Sequence, residues 1–138
     1  MLRAVTVPCI SLELAAVPAS VPAIRDAIRN FLVEHGASRP IEDAVTLATT
    51  EAVTNVIVHA YPGGGAGTVR IDADLEEDEF EIVVSDDGRG FTADSEPGNG
   101  LGLGLALMRT GSTAFEIRDR ALGGVEVWMR FPLRAEAA

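Results

Sequence analysis

The sequence contains no lysine: all 11 of its basic residues are arginine. This absence excludes several chemistries, because a Walker-type phosphate-binding loop, the strand lysine of ordinary protein kinases and a pyridoxal Schiff base all require a lysine amine. Cysteine is nearly absent as well, and the lone Cys9 has no second cysteine with which to form an internal disulfide. Its apolar neighbours Val7 and Ile10 predict that Cys9 is a buried small hydrophobic residue and not a nucleophile.

Positive charge is scarce, and long apolar runs are missing. The net charge is −10 and the pI is about 4.5, so we expect no nucleic-acid partner, since phosphate contacts need clustered cations. No stretch approaches the roughly 18 apolar residues of a membrane span, and the first residues lack a basic region leading into a signal-peptide core. We therefore expect a cytoplasmic protein without a membrane partner. Its 138 residues, 47% of them apolar, fit a single domain over residues 1–138.

The apolar periodicity alternates between helical and strand patterns along the chain. Helices are predicted at residues 20–35, where Gly36 ends the element, and from Pro40 to about His59. The remaining predicted elements are an early or edge strand within residues 2–15, strands at Thr68–Leu75 and Phe80–Ser85, a polar loop at residues 91–99, a short helix at Leu103–Arg109, and a last hairpin formed by Phe115–Arg120 and Val125–Phe131 around Gly123-Gly124.

The predicted second helix carries two chemically useful side chains one turn apart. Glu51, Asn55 and His59 follow one another at four-residue steps, on a different side from the apolar stripe. A glutamate can accept a proton from a hydroxyl or a water, and an asparagine carbonyl is a hard oxygen that suits Mg²⁺. Together they can stand beside a triphosphate. The alternative is that they form only the solvated face of an amphipathic helix. The apolar stripe consists of Ile41, Val45, Ala48, Ala52 and Val56.

A carboxylate and two glycines follow the strand predicted at Phe80–Ser85. Asp86 comes directly after this apolar strand, and Gly88 and Gly90 allow a close backbone approach or positive φ angles. A carboxylate in this place can accept a hydrogen bond from an exocyclic amine such as that of adenine. An Asp-Gly turn between two strands is the structural alternative.

A glycine-rich segment, Gly100-Leu101-Gly102-Leu103-Gly104, leads from a predicted loop into a predicted helix. It offers backbone N–H groups and the positive end of a helix dipole to phosphates, so an acidic protein without lysine can bind a polyanion through it. A flexible connector is the alternative for this segment. Each of the three segments is a weak signal alone, but their ordered combination predicts a nucleotide pocket.

The same residues resemble the motifs of a known superfamily. The N, G1 and G2 boxes of the Bergerat-fold ATPases, which include histidine kinases and type II topoisomerases, are similar to Glu51–Asn55 with His59-Ala60-Tyr61, Asp86–Gly90 with Phe91, and Gly100–Met108. The small size and the string Glu-Ala-Val-Thr-Asn followed by His-Ala-Tyr are most similar to anti-sigma factor serine kinases. The similarity covers about residues 15–133. It implies an α/β (α+β) two-layer sandwich with a mixed, mainly antiparallel sheet and helices on one face.

The resemblance also implies a role for each matching residue. Glu51 is expected to be the general base, Asn55 the Mg²⁺ ligand and Asp86 the residue that recognises adenine, with ATP and Mg²⁺ as cofactors. Only Phe91–Asn99 separates the second box from the third, which is short for a lid in this superfamily. The remaining implied site residues are Gly88 and Gly90 on the adenine side and Gly100, Gly102 and Gly104 along the phosphates.

The expected reaction is transfer of the ATP γ-phosphoryl group to a serine of an anti-sigma factor antagonist. By the same resemblance the protein would hold a sigma factor inactive when the antagonist is phosphorylated, and a homodimer is compatible with it. Two alternatives stay open: a nucleotide-dependent binding module, and a switch kinase that regulates a phosphatase or another partner. Glu51 favours a kinase over a pure binding module, because binding ATP does not require a base.

Overall fold

The computed structural model describes residues 9–61, 67–88, 111–120 and 123–134. Each helix and strand predicted within these ranges is present. None of the helices in the described ranges is long and apolar enough to cross a membrane. In chain order the elements are β1 (Cys9–Ala15), α1 (Ser20–Glu34), α2 (Arg39–Asn55), a π-helical turn (Val56–Ala60), β2 (Thr68–Glu76), β3 (Glu79–Asp86), β4 (Ala114–Asp119) and β5 (Val125–Pro132).

The five strands form one sheet in the order β1-β2-β3-β5-β4. Side chains alternate between its two faces, as the two-residue period of a strand requires, and one face is covered by α1 and α2. The predicted two-layer sandwich is therefore confirmed. The sequence predicts a mixed, mainly antiparallel sheet, and all pairings between the described strands are antiparallel. The buried residues of the two central strands β2 and β3 are Val69, Ile71, Ala73, Phe80, Ile82 and Val84.

Helix α1 packs a continuous apolar stripe against the sheet. Ile24, Ile28 and Leu32 are at most 1% exposed, and the full burial of one such side chain stabilises the fold by about 1.5–3 kcal/mol. Gly36 follows the helix with a φ of 80°, a left-handed conformation that glycine adopts without steric strain. The helix therefore ends where the sequence predicts.

Helix α2 begins at Arg39, and Pro40 occupies its first turn, where the missing N–H removes no helical hydrogen bond. Arg29 of α1 donates from Nη1 to Oε1 of the buried Glu42 at 2.8 Å, which joins the two helices. The predicted apolar stripe of α2 is confirmed, because its members Ile41, Val45, Ala48, Ala52 and Val56 are all buried.

The last turn of the second helix differs from the prediction. The sequence predicts an α-helix to about His59, but α2 ends at Asn55 and a π-helical turn continues from Val56 to Ala60. In a π-helix each hydrogen bond spans five residues and not four. His59 therefore does not extend the four-residue spacing of Glu51 and Asn55. The turn ends where Tyr61 leaves the helix and where the backbone meets the end of β3.

The prediction that Cys9 is buried is wrong, because its side chain is exposed. Cys9 lies at the start of the edge strand β1 and shares the outer face of the sheet with Ser11 and Glu13. Ile10 and its alternate neighbours face the helices instead. Apolar neighbours in sequence therefore point to the opposite face of the strand from Cys9 itself.

Candidate nucleotide-binding site

Asp86 is the last residue of β3, and it points to the face that the helices cover. The residue is 5% exposed, and its Oδ1 accepts a hydrogen bond from the backbone N–H of Gly88 at 2.8 Å. Burial raises the pKa of Asp86, while hydrogen bonds from the backbone amides of Gly88 and Val125 and the charge of Arg120 lower it; the net pKa is above its ordinary value. The site thus holds a carboxylate whose charge is only partly compensated, and a donor from a ligand would stabilise it.

Gly88 brings the end of β3 into backbone contact with the helical layer. A Cβ atom at this position would lie 2.1 Å from the carbonyl oxygen of Ala60, the last residue of the π-helical turn. No side chain fits there without moving the backbone. The segment that follows Asp86 therefore packs directly on the end of the helix that carries Glu51 and Asn55.

Gly124 also allows a close backbone approach, here between the hairpin of β4 and β5 and the backbone of Asp86. It lies in the turn between β4 and β5 with a φ of 95°, and a Cβ atom there would stand 1.9 Å from the carbonyl oxygen of Asp86. The sequence identifies Gly123-Gly124 only as a hairpin turn. Two adjacent glycines shortly after Arg120 are the only sequence signal for this role. The contact of Gly124 with β3 could not be read from them, because it depends on the order of the strands in the sheet.

Glu51 and Asn55 lie one turn apart on α2, and both side chains are partly exposed. The adjacent Ala52 and Val53 are at most 1% exposed and anchor this part of the helix in the core. Within the described ranges, neither the carboxylate of Glu51 nor the amide of Asn55 has a hydrogen bond or ion pair. In this part of the chain both groups therefore keep their capacity to bind a ligand, a metal ion or water.

Two further residues, Tyr61 and Arg120, bind the backbone that follows Asp86. The hydroxyl of Tyr61 accepts a hydrogen bond from the N–H of Asp87 at 3.0 Å, and Arg120 donates to the carbonyl of Asp86 at 2.9 Å. The sequence singles out neither of them as a site residue beyond the placement of Tyr61 in the first motif. Four predicted site residues, Gly90, Gly100, Gly102 and Gly104, lie outside the described residues, as do the loop at 91–99 and the helix at Leu103–Arg109.

Comparison with known proteins identifies the family. A sequence profile described as the histidine kinase-like ATPase domain matches residues 14–131. The chain belongs to the histidine kinase-like ATPase family. The matched range contains all three predicted motifs, so the resemblance to the Bergerat-fold superfamily is confirmed.

Relatives of this histidine kinase-like ATPase domain carry specific names. This chain is 31% identical over 134 residues to the serine-protein kinase RsbW of Bacillus licheniformis, and the alignment covers 87% of this chain and 82% of that protein. It is 29% identical over 113 residues to the anti-sigma F factor of Clostridium beijerinckii, with 75% and 79% covered. These names agree with the subgroup that the short motif strings indicate.

A solved structure agrees with the fold of this ATPase domain. The RsbU and RsbW domains of a Mycobacterium tuberculosis protein superpose with a TM-score of 0.71 at 23% identity. The match covers 91% of this chain and 32% of that longer chain. At this level of identity the likeness establishes the fold alone, and the roles of individual site residues stay predictions.

Proposed function

We propose that the chain is an ATP-dependent protein-serine kinase that phosphorylates an anti-sigma factor antagonist and binds a sigma factor in a partner-switching system. The observation that carries this proposal is the buried carboxylate of Asp86, which is followed two residues later by the glycine that packs on the end of the helical segment carrying Glu51 and Asn55. The names of the relatives, serine-protein kinase and anti-sigma F factor, support the choice of substrate and partner.

In this proposal Asp86 selects the base. An aspartate without its proton can only accept hydrogen bonds, so it pairs with the exocyclic amine of adenine and not with the carbonyl that guanine presents at that position. The glycines that sequence similarity assigns to the adenine and phosphate sides would supply backbone N–H groups in place of lysine. Gly88 is the member of this set within the described ranges, and its packing on Ala60 supports its assignment.

Asn55 is the proposed protein ligand of Mg²⁺. Its amide has no hydrogen bond within the described ranges, and those ranges contain no group of three His, Cys, Asp or Glu side chains that could hold a metal ion. Both observations fit an ion that takes one ligand from the protein and the others from phosphates and water. The ion would neutralise phosphate charge when bound with ATP.

Glu51 is the proposed base. The Oγ of the substrate serine forms a bond to the γ-phosphorus of ATP, the bond from that phosphorus to the β,γ-bridging oxygen breaks, and ADP leaves. The serine proton passes to the carboxylate of Glu51. The partial exposure of Glu51 supports this role, because a serine of another protein must reach it.

The proposal is tested by incubating the protein with γ-³²P-labelled ATP and candidate antagonists from its own genome. We expect label on one serine of one antagonist. We also expect a sigma factor to co-purify with the protein once the unphosphorylated antagonist has been removed. ATP binding without transfer to any candidate would contradict the kinase and favour a binding module. Transfer combined with recovery of a phosphatase instead of a sigma factor would identify the switch kinase.

A further inference from the structure

Side chains form hydrogen bonds with both the carbonyl oxygen and the N–H of the peptide group between Asp86 and Asp87. Its carbonyl oxygen, that of Asp86, accepts a hydrogen bond from Nη1 of Arg120 at 2.9 Å. Its N–H, that of Asp87, donates to the hydroxyl oxygen of Tyr61 at 3.0 Å. The two side chains reach this one peptide from opposite layers, because Tyr61 follows the helical layer and Arg120 follows β4.

Both side chains are themselves fixed. The hydroxyl of Tyr61 donates its single proton to the carbonyl of Thr68 at 2.6 Å, which leaves a lone pair for Asp87. A Cβ atom on Gly67 would lie 2.2 Å from the Tyr61 ring, so the ring packs tightly on the backbone before β2. Nη1 of Arg120 also contacts Oδ1 of Asp87 at 2.8 Å.

The orientation of this peptide determines how the carboxylate of Asp86 is held. The amide of Gly88, which donates to Oδ1 of Asp86, is the next peptide group along the chain. The hydrogen bonds from Arg120 and to Tyr61 restrict the backbone between the carboxylate of Asp86 and the amide of Gly88. Releasing them would let this segment shift and would weaken a hydrogen bond that counteracts the burial of the carboxylate.

We propose that Tyr61 and Arg120 are positioning residues that hold the peptide after Asp86, and through it the Asp86 carboxylate, in the orientation that recognises the adenine amine. This inference rests on the proposed role of Asp86 in base recognition. Neither residue contacts the base in this account. A purely structural role predicts that their loss weakens all nucleotides equally, whereas a positioning role predicts a loss that depends on the 6-amino group.

The test compares the affinities of ATP and of purine riboside triphosphate, which lacks the 6-amino group, by calorimetry in the presence of Mg²⁺. The variants are Tyr61→Phe, which keeps the ring on Gly67, and Arg120→Ala. The matched control is Arg118→Ala, since Arg118 lies on β4 two residues before Arg120 and pairs with Glu116 and Glu126 on the outer face. Arg120→Lys keeps the charge and serves as the conservative variant if Arg120→Ala does not fold.

We expect the wild type to prefer ATP by about tenfold or more, and each variant to reduce this preference by about two- to tenfold, the usual worth of one hydrogen bond. Arg118→Ala should keep the wild-type preference. The double variant should lose less than the product of the two single losses, because both residues hold one peptide group.

Equal losses of affinity for both nucleotides in Tyr61→Phe and in the Arg120 variant would overturn the positioning role and leave the adenine contact of Asp86 intact. A wild type without any preference for ATP would instead contradict the adenine contact itself. The two failures are thus distinguishable.

Discussion

Asp72 and Asp86 lie on opposite faces of the same sheet, and they are stabilised in opposite ways. On the outer face, Asp72 accepts hydrogen bonds from the Ser11 hydroxyl and from Nε of Arg70, both at 2.8 Å. Burial raises the pKa of Asp72, but the hydrogen bonds from Arg70 and Ser11 outweigh it, and the net pKa is below its ordinary value. On the inner face, burial dominates and the pKa of Asp86 is raised. The outer carboxylate is satisfied within the fold, whereas burial disfavours the charge of the inner one, which a ligand that donates a hydrogen bond would stabilise.

The two glutamates of α2 show the same contrast. Glu42 is 8% exposed and pairs with Arg29 at 2.8 Å, so its charge is used to join two helices. Glu51 is partly exposed and has no such partner within the described ranges. Glu42 is therefore a structural residue, whereas Glu51 lies at the candidate site without a side-chain partner among the described residues.

The largest expected effect comes from Glu51→Gln, which keeps the shape of the side chain and removes its ability to take a proton. Phosphorylation of the antagonist should fall by about 10²–10⁴, the usual contribution of a general base, while ATP affinity changes little. The matched variant Glu42→Gln should lower the thermal midpoint and leave the transfer rate of the folded protein unchanged. Equal transfer rates in Glu51→Gln and wild type would reject Glu51 as the base.

The next largest effect is a difference in stability between alanine substitutions at two glycines with positive φ, Gly124 and Gly36. Gly124→Ala should lower the free energy of unfolding by about 2–4 kcal/mol, because backbone strain adds to a clash with the carbonyl of Asp86. Gly36→Ala should cost only about 1–2 kcal/mol, since its nearest neighbour is the flexible end of Arg134 at 3.4 Å. Urea unfolding measures both. Equal losses would show that the contact between the hairpin and β3 contributes nothing.

A smaller change is expected from Asn55→Ala. If Asn55 is the protein's ligand for Mg²⁺, the variant should lose most of the increase in ATP affinity that Mg²⁺ provides, while phosphates and water complete the coordination. Calorimetric titrations with Mg²⁺ and with EDTA give this ratio. Thr54→Ala is the matched control, because Thr54 is the exposed neighbour on the same turn. An unchanged ratio in Asn55→Ala would remove the assignment.

The smallest effect is a difference in pH dependence between the two faces. The pKa of Asp86 is raised above the ordinary 3.8, so its contribution to stability is complete below that value and is lost as the pH rises through the raised pKa. The pKa of Asp72 is lowered, so its contribution is present above 3.8 and is lost as the pH falls. As the pH rises from 3 to 7, the thermal midpoint of Asp86→Asn should therefore rise relative to that of the wild type. The midpoint of Asp72→Asn should fall relative to that of the wild type. Parallel curves for both variants would contradict the contrast.

Local patterns in the sequence predict the elements and several parts of the site. The apolar spacing along α2 and the apolar run before Asp86 predict which side chains are buried, because burial follows the period of each element. The position of Asp86 at the end of β3 follows from the same run. These features depend on residues that are close together in sequence.

Features that depend on distant residues were not predictable in this way. The contact of Gly124 with Asp86 requires β5 to pair with β3, and the bond from Arg120 to Asp86 requires the same pairing. The π-helical turn at Val56–Ala60 departs from the local helical pattern where the chain packs on Gly88. The exposure of Cys9 depends on which face of β1 meets the helices.

The measurement that tests the account most directly is the ATP affinity of Asp86→Asn beside that of Asp72→Asn. Asparagine at position 86 can present a donor where adenine also presents one, and the loss of a buried hydrogen bond to a charged group corresponds to about 1.5–3 kcal/mol. Calorimetry should therefore show an affinity about tenfold to a hundredfold lower for folded Asp86→Asn, and an unchanged affinity for Asp72→Asn. Wild-type affinity in Asp86→Asn, or an equal loss in both variants, would contradict the assignment of the inner aspartate to the nucleotide.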